Sequence, residues 1–395
     1  MPKVWDLSRG FLPEEDPVEF LPSEFKPWED LAHEAPKLLA AGKFGDAVKD
    51  LPLLDPASLH ENEAMLECAM RHLSFLGHSE IWENWKEKPR LKISKQIAVP
   101  WHKIAKQLGR PPVLSYASYA LYNWKRLDIT KPVQLGNIAL LQNFLGGLDE
   151  EWFILVHVDI ESRAQAIIFA IEHAVAGVPE KGPEHLENWL YAIELSLQKI
   201  NSTLNRMTEN CDPYIYYNRV RPYIYGWKNH LALPKGLIYE GVEEYNGAPQ
   251  QFRGETGAQS TIIPSLDAFL GIEHADKLLD GSPDILKSYL MEMRDYMPKE
   301  HRDFLEKLEK ESEENSVCRY VLALRNHEKS LADAYNACVE EIAKFRQKHL
   351  EYAGAYIQKQ SQKSAFNPNT VGTGGTPFMQ YLKKHLDETT ASLID

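Results

Sequence analysis

The stretch Leu331-Ala332-Asp333-Ala334-Tyr335-Asn336-Ala337-Cys338-Val339-Glu340-Glu341-Ile342-Ala343-Lys344-Phe345-Arg346-Gln347-Lys348-His349 decides the fold class, because its apolar residues return every three or four positions. From Leu331 the spacing runs four, three, four, three through Tyr335, Cys338, Ile342, Phe345, His349, Tyr352 and Tyr356. That period puts them all along one side of a single helix. His349 therefore looks inward. Imidazole is the commonest metal ligand that stays neutral near physiological pH, and a ring aimed into an apolar interior suits the proximal ligand of a haem. A satisfied core histidine is the alternative. Arg346, one turn earlier, offers a guanidinium to an acidic cofactor edge such as a haem propionate, or else is a solvated arginine.

The same period recurs along most of the chain. Helices are expected over Trp28 to Ala41, Glu61 to Leu76 (capped by Asn62 or Ser58), Ile97 to Leu108 and Tyr116 to Trp124. Longer ones follow over Glu150 to Val175, Pro183 to Glu209, Ile215 to Trp227, Ser260 to Leu270, Ser282 to Arg294, Glu300 to Glu313 and Ser330 to Ile357, with no strand alternation of note. The class is all-α. Gly109-Arg110-Pro111-Pro112 halts the preceding helix and marks the domain boundary: a smaller, mainly helical N-terminal domain over 1–108 and a large helical domain over 109–395. Met1 to Pro27 reads as an irregular arm packed on the body, and Asn367 to Thr376 as a mobile loop.

Two further groups carry chemistry. Phe153, Val156, His157, Ile160, Ala164 and Ile167 form one apolar helix face, so a second histidine also points inward. Two such histidines on separate helices suit the two sides of one iron, the alternative being two unrelated buried rings. The run from Pro213 to Trp227 packs Tyr214, Tyr216, Tyr217, Tyr223, Tyr225 and Trp227 around Arg219 and Arg221. Rings for stacking and a guanidinium for a bidentate clamp suit a flat aromatic ligand bearing a carboxylate, unless the run is a plain structural helix. Gly254 to Ser260 and Gly372 to Thr376 lack the Gly-Lys-Ser/Thr of a phosphate loop and read as turns or as backbone approaching a planar ligand. Metalloprotease, zinc-finger, nucleophile-elbow and kinase signatures are absent from the sequence.

With 395 residues, 44% hydrophobic and 26% charged, the chain has ample material for a core. A net charge of −13 argues against nucleic acid or an anionic membrane as partner. Cys68, Cys211, Cys318 and Cys338 fall at no metal or disulfide spacing, which suits reduced thiols. The start of the chain lacks the basic and apolar runs of a signal peptide. A cytoplasmic protein is expected.

These residues resemble the indoleamine 2,3-dioxygenases, haem enzymes that open the indole ring of tryptophan with O2. The resemblance runs from Ile97-Ala98-Val99-Pro100-Trp101 through Pro111 to Ala117, Asn123-Trp124-Lys125, Gly226-Trp227 and Leu237 to Gly241. It continues through Gln259-Ser260 with Asp267, Leu270-Gly271-Ile272, Arg294 to Pro298 and His301-Arg302 to Gly372-Thr373-Gly374-Gly375-Thr376.

It implies that the large domain binds heme b, with His349 as proximal iron ligand and Arg346, Asp267 and Thr256 at the haem edge. Arg221 matches the arginine that grips the amino-acid carboxylate, Tyr216 and Tyr217 an aromatic pair over the distal pocket, Tyr116 and Phe153 the indole lining, and Thr373 the loop that closes over substrate. His157 stands where vertebrate members have a serine, although more distant haem tryptophan dioxygenases place a histidine against the indole N–H; it meets either O2 or that N–H. Tyr216 and Tyr217 replace phenylalanines, and Glu255 replaces a glycine. The implied reaction is cleavage of the indole C2–C3 bond of L-tryptophan, or a related indole, by O2 to N-formylkynurenine, in a protein expected to be a monomer. The rivals are a haem monooxygenase of another tryptophan-derived indole and a non-enzymatic O2-binding haem protein. Arg221 and the 372–376 loop speak against the second, since a carrier has no carboxylate to hold and no lid to close.

Overall fold

The computed structural model describes residues 9–175, 180–275, 285–361, 367, 371–376 and 378–395. Its longer helices are α1 (Lys26–Ala41), α2 (Glu63–Trp82), α3 (Lys95–Leu108), α4 (Leu148–Arg163), α5 (Gln165–Val175), α6 (Pro183–Asn205), α7 (Ile262–Leu270), α8 (Ile285–Arg294), α9 (Lys299–Glu314), α10 (Val317–Leu324), α11 (Lys329–Ala353) and α12 (Phe378–Thr390). Two strand pairs complete it: β1 (Lys92–Ile93) runs parallel to β4 (Ile238–Tyr239), and β2 (Trp124–Arg126) antiparallel to β3 (Ile138–Leu140). The fold is all-α. Asn62 caps α2 through a bond from the Met65 amide at 3.1 Å.

Several expected helices are shorter or broken. Tyr116 to Trp124 gives one wide helical turn, Ala117–Leu121, and then strand β2. Asn123 makes the change: its amide donates to the carbonyls of Tyr119 and Gln142, and its Oδ1 accepts from the Gln142 amide, which pulls the chain out of the helix and onto β3. The helix expected over Glu150 to Val175 breaks at Ala164, whose amide bonds back only three residues, to Glu161. Gly10 of the N-terminal arm lies there, where a Cβ would come within 2.1 Å of the Glu161 carbonyl oxygen. The run read as a helix to Trp227 is a short chain of different turns, because Pro222 has no amide to continue the ladder. Helices α10 and α12 were not expected. Residues 282–284 of the helix expected from Ser282 lie outside the described residues.

Two apolar clusters form the core. One gathers α1 to α3, the segment around Tyr119 and the return over Tyr223–Val242. The other gathers α5, α6, α7, α10 and α11. The 108/109 point falls at the end of α3, where Gly109 caps the helix with positive φ, and the first cluster runs on past it through Val158. Helix α4 lies between the clusters: Ile154, Leu155 and Val158 join the first, and Val156 and Ile160 the second. A helix apolar on opposite sides is held on both, and His157 is thereby fixed at the seam. Helix α11 packs on α6 and α12, which sets His349 on the other wall of the same space.

Candidate active site

Between α4, α7, α11 and the 372–376 turn lies a cavity of about 1280 Å³, larger than a common small-molecule pocket. Tyr116, Phe153, His157, Tyr216, Thr256, Asp267, Arg346, His349 and Thr373 line it; Tyr217 and Arg221 do not. The structure thus gathers nine of the eleven residues singled out from the sequence around one space.

His349 has no hydrogen-bond partner among the described residues and is open on its cavity side. Although its surface is open to the cavity, the protein around that cavity strips water from the ring and, with His157 nearby, holds it down to about 4, so it is neutral at pH 7. A neutral imidazole with free nitrogens facing an apolar cavity is the donor a haem iron takes.

Across the cavity, His157 is half-buried. Its Nδ1 lies 2.7 Å from the Phe153 carbonyl oxygen. A carbonyl only accepts, so Nδ1 carries the proton. Burial lowers the ring's affinity for a second one, which leaves Nε2 with a lone pair. Phe153 lies between His157 and Tyr216, tilted to both rings, with centroids 4.7 Å from each. Tyr116 stands edge-on to His157 at 6.0 Å. Its hydroxyl donates at 2.8 Å to Glu161, which also accepts from Ser260 at 2.6 Å.

At one edge, Arg346 donates to Asp267 at 2.6 Å and to the Thr389 hydroxyl. Asp267 also meets His274 Nε2 at 3.2 Å, and His274 Nδ1 meets Glu388 at 2.7 Å. Burial works to raise the Asp267 carboxyl, but Arg346 and His274 together hold it below its usual range. Burial likewise opposes a charge on His274, and its two carboxylates more than offset that. His274, His385 and Glu388 come close enough to share a cation. Arg346, and Lys384 at 3.3 Å from Glu388, already balance the two acids there.

Arg221 is fully buried one layer behind the cavity wall. It donates to Asn367 Oδ1 at 2.7 Å and to the Val371 carbonyl at 2.8 Å, over the ring of Tyr225. Tyr217 donates to the Asn367 carbonyl at 2.9 Å. In this conformation both residues therefore anchor the segment read as a mobile loop, of which 367 and 371–376 are described. Its Gly372 to Thr376 turn docks on two others. Thr373 donates to the Glu255 carbonyl at 2.5 Å, and Arg253 to the Gly374 carbonyl at 2.7 Å. Gly226 and Gly254 approach so closely that a Cβ on either would come within 2.2 Å of the other's amide nitrogen. The missing Cβ at Gly254 thus serves contact between backbone segments rather than with a planar ligand.

That approach sets Glu255, which sequence reasoning noted only as a departure, in the cavity wall at 4% exposure. Among the described residues its carboxyl has no hydrogen bond or ion pair, and burial pushes it up to about 8. No short motif flags such a residue.

The residues present fit a haem. His349 would hold the iron, and Arg346 and Thr256, which line the same cavity, would offer donors to the acidic groups of a haem.

The family whose model matches this chain is described as indoleamine 2,3-dioxygenase, over residues 3–392. The chain is 34% identical to indoleamine 2,3-dioxygenase 1 of Rattus norvegicus over 387 residues, spanning 96% of this chain and 92% of that protein. It is 31% identical to indoleamine 2,3-dioxygenase of Saccharomyces cerevisiae, spanning 97% and 91%. It is also 31% identical to 6-hydroxytryptophan 2,3-dioxygenase of Fusarium equiseti, spanning 98% and 96%.

Proposed function

This chain belongs to the indoleamine 2,3-dioxygenase family, and we propose that it uses heme b and O2 to open the indole ring of L-tryptophan, giving N-formylkynurenine. The observation that carries the reading is the pair of histidines facing one cavity. Both rings are neutral: among the described residues His349 has no hydrogen-bond partner, and His157 keeps the lone pair of Nε2 because Nδ1 donates to Phe153.

Bound haem supplies the activation of O2; the protein supplies orientation, a dry space and electrostatics. His349 holds the iron, and Arg346 with Asp267 and Thr256 holds the haem edge. Phe153 and Tyr116 sandwich the indole, and Tyr216 closes one end. His157 Nε2 accepts the indole N–H, which fixes which edge of the ring faces the reacting centre. Because Nδ1 is committed to Phe153, the same nitrogen has no proton to offer O2. Arg221 grips the substrate carboxylate after exchanging Asn367 for it, with Tyr217 behind it. Thr373 brings the loop down over the site, excluding water. The reading includes a cytoplasmic monomer. Among the described residues no helix is long and apolar enough to cross a membrane, and the net charge of −13 supports a protein without a nucleic-acid partner.

A second reading, a hydroxylated tryptophan as substrate, is favoured by Tyr216. Its hydroxyl has no hydrogen-bond partner among the described residues and sits at the cavity wall. Turnover of L-tryptophan beside 6-hydroxytryptophan by the ferrous holoenzyme, with products identified by mass spectrometry, separates the two. Formation of N-formylkynurenine from L-tryptophan at the higher kcat/KM supports the first.

A further inference from the structure

The Glu255 carboxyl is an ionisable group set into a cavity wall with no hydrogen bond or ion pair among the described residues. It is 4% exposed and lines the same space as His157 and His349. The nearest candidate cation on its own strand of chain, Arg253, is turned away. That guanidinium pairs with Glu292 at 2.7 Å, donates to the Gly374 carbonyl and covers the Tyr289 ring at 4.9 Å. Arg221 is close enough to Tyr216 to act on its hydroxyl, and so is Glu255 with the opposite sign. Arg221 is committed elsewhere, to Asn367 and Val371. Glu255 in the cavity wall and Arg221 one layer behind it thus act on the Tyr216 hydroxyl with opposite sign, and each is held apart from the other by its own surroundings.

An uncompensated carboxyl in such a place is unfavourable as an ion, and burial alone holds this one protonated up to about 8. A cation brought against it draws the proton off and replaces the lost water. An amino acid carries one charge of each sign on a single carbon.

We propose that Glu255 is the acceptor for the α-ammonium group of the substrate, so that this enzyme selects indoles bearing a cationic amine and an acid over indole acids without the amine. The proposal rests on the reading that the cavity takes a tryptophan-like indole. Glu255 makes the selection by direct contact, from backbone that the Gly226–Gly254 approach and the Thr373 hydroxyl hold in place. A glycine at this position leaves recognition to the carboxylate end alone.

The test is calorimetric titration of the ferric holoenzyme with L-tryptophan and with indole-3-propionic acid, which shares the indole and the carboxylate but lacks the amine. Wild-type protein should bind L-tryptophan the more tightly. In Glu255→Gln, which keeps the shape, L-tryptophan should weaken by roughly tenfold or more, the loss expected for a charge-assisted bond, while indole-3-propionic acid shifts by less than about threefold or binds tighter. Glu255→Gly removes the side chain altogether and should show the same divergence, which covers a failure of the glutamine variant to fold. Equal weakening of both compounds means a structural role and overturns the inference, as does unchanged L-tryptophan binding. A wild type that binds neither compound overturns the substrate reading, and this inference with it.

Discussion

His157 Nδ1 donates to the carbonyl of Phe153, one turn earlier on the same helix, at 2.7 Å. That single bond fixes the tautomer, and with it the chemistry available on the cavity side, because the ring is neutral and Nε2 retains its lone pair. On the proposed reading the indole N–H would find its acceptor there. In 1-methyl-tryptophan the N–H is gone and the acceptor is left buried and unpaired, at about 1–3 kcal/mol. His157→Ser should therefore narrow the affinity gap between tryptophan and its 1-methyl analogue by about that amount. A gap that stays the same while oxidation of the ferrous–O2 protein accelerates would show that the ring serves O2 instead.

His349→Ala removes the neutral imidazole on α11 that faces the cavity and has no hydrogen-bond partner among the described residues. The variant should fold, with far-ultraviolet circular dichroism like that of the wild type, and purify with little haem or a displaced Soret band. Full haem content with an unaltered spectrum would place the iron ligand elsewhere.

Truncating Arg221 leaves Asn367 and Val371 without their donor and, on the proposed reading, the substrate carboxylate without its partner. Activity on L-tryptophan should fall by about 2–5 kcal/mol, on the scale of a buried charge pair that loses one member. Tryptamine, which has no carboxylate, should lose little further. Equal losses on both compounds would mean that Arg221 serves only to anchor the loop.

Glu161 gives a pH signature. Burial raises its carboxyl to about 7, against 4.5 for the free group. Between those values the folded state keeps a proton that the unfolded chain has lost, so stability falls as pH rises from about 4.5 to about 7 and levels off above. Glu161→Gln, which cannot ionise, should remove that slope. The difference in unfolding free energy between wild type and variant should change by about 3 kcal/mol across the window. A difference independent of pH would show that the carboxyl is already ionised in the folded protein, held so by the hydroxyls of Tyr116 and Ser260.

The walls of the site were legible in the sequence wherever one long amphipathic helix carries them. The three-and-four spacing around His349 and the face around His157 each name a residue that lines the cavity. The aromatic run to Trp227 reads as one helix because periodicity does not register the broken ladder at Pro222, and Tyr216 and Tyr217 face different ways as neighbours on any helical turn do. Tyr216 faces the cavity and Tyr217 faces Asn367. Contacts over long sequence separations leave no periodic trace: Arg346 with Asp267, His274 with Glu388, and Gly226 with Gly254 are each set by packing of separate segments. Glu255 is illegible for the same reason, since only the folded chain shows that no cation among the described residues answers it.

The central claim is that one cavity brings a tryptophan indole and O2 together so that both oxygen atoms enter the ring-opened product. Turnover of L-tryptophan by the ferrous holoenzyme under ¹⁸O₂, with the product weighed by mass spectrometry, tests it most directly. The account predicts N-formylkynurenine carrying two labelled oxygens. A product carrying one label, or a labelled-oxygen complex that leaves L-tryptophan unconsumed, would contradict it.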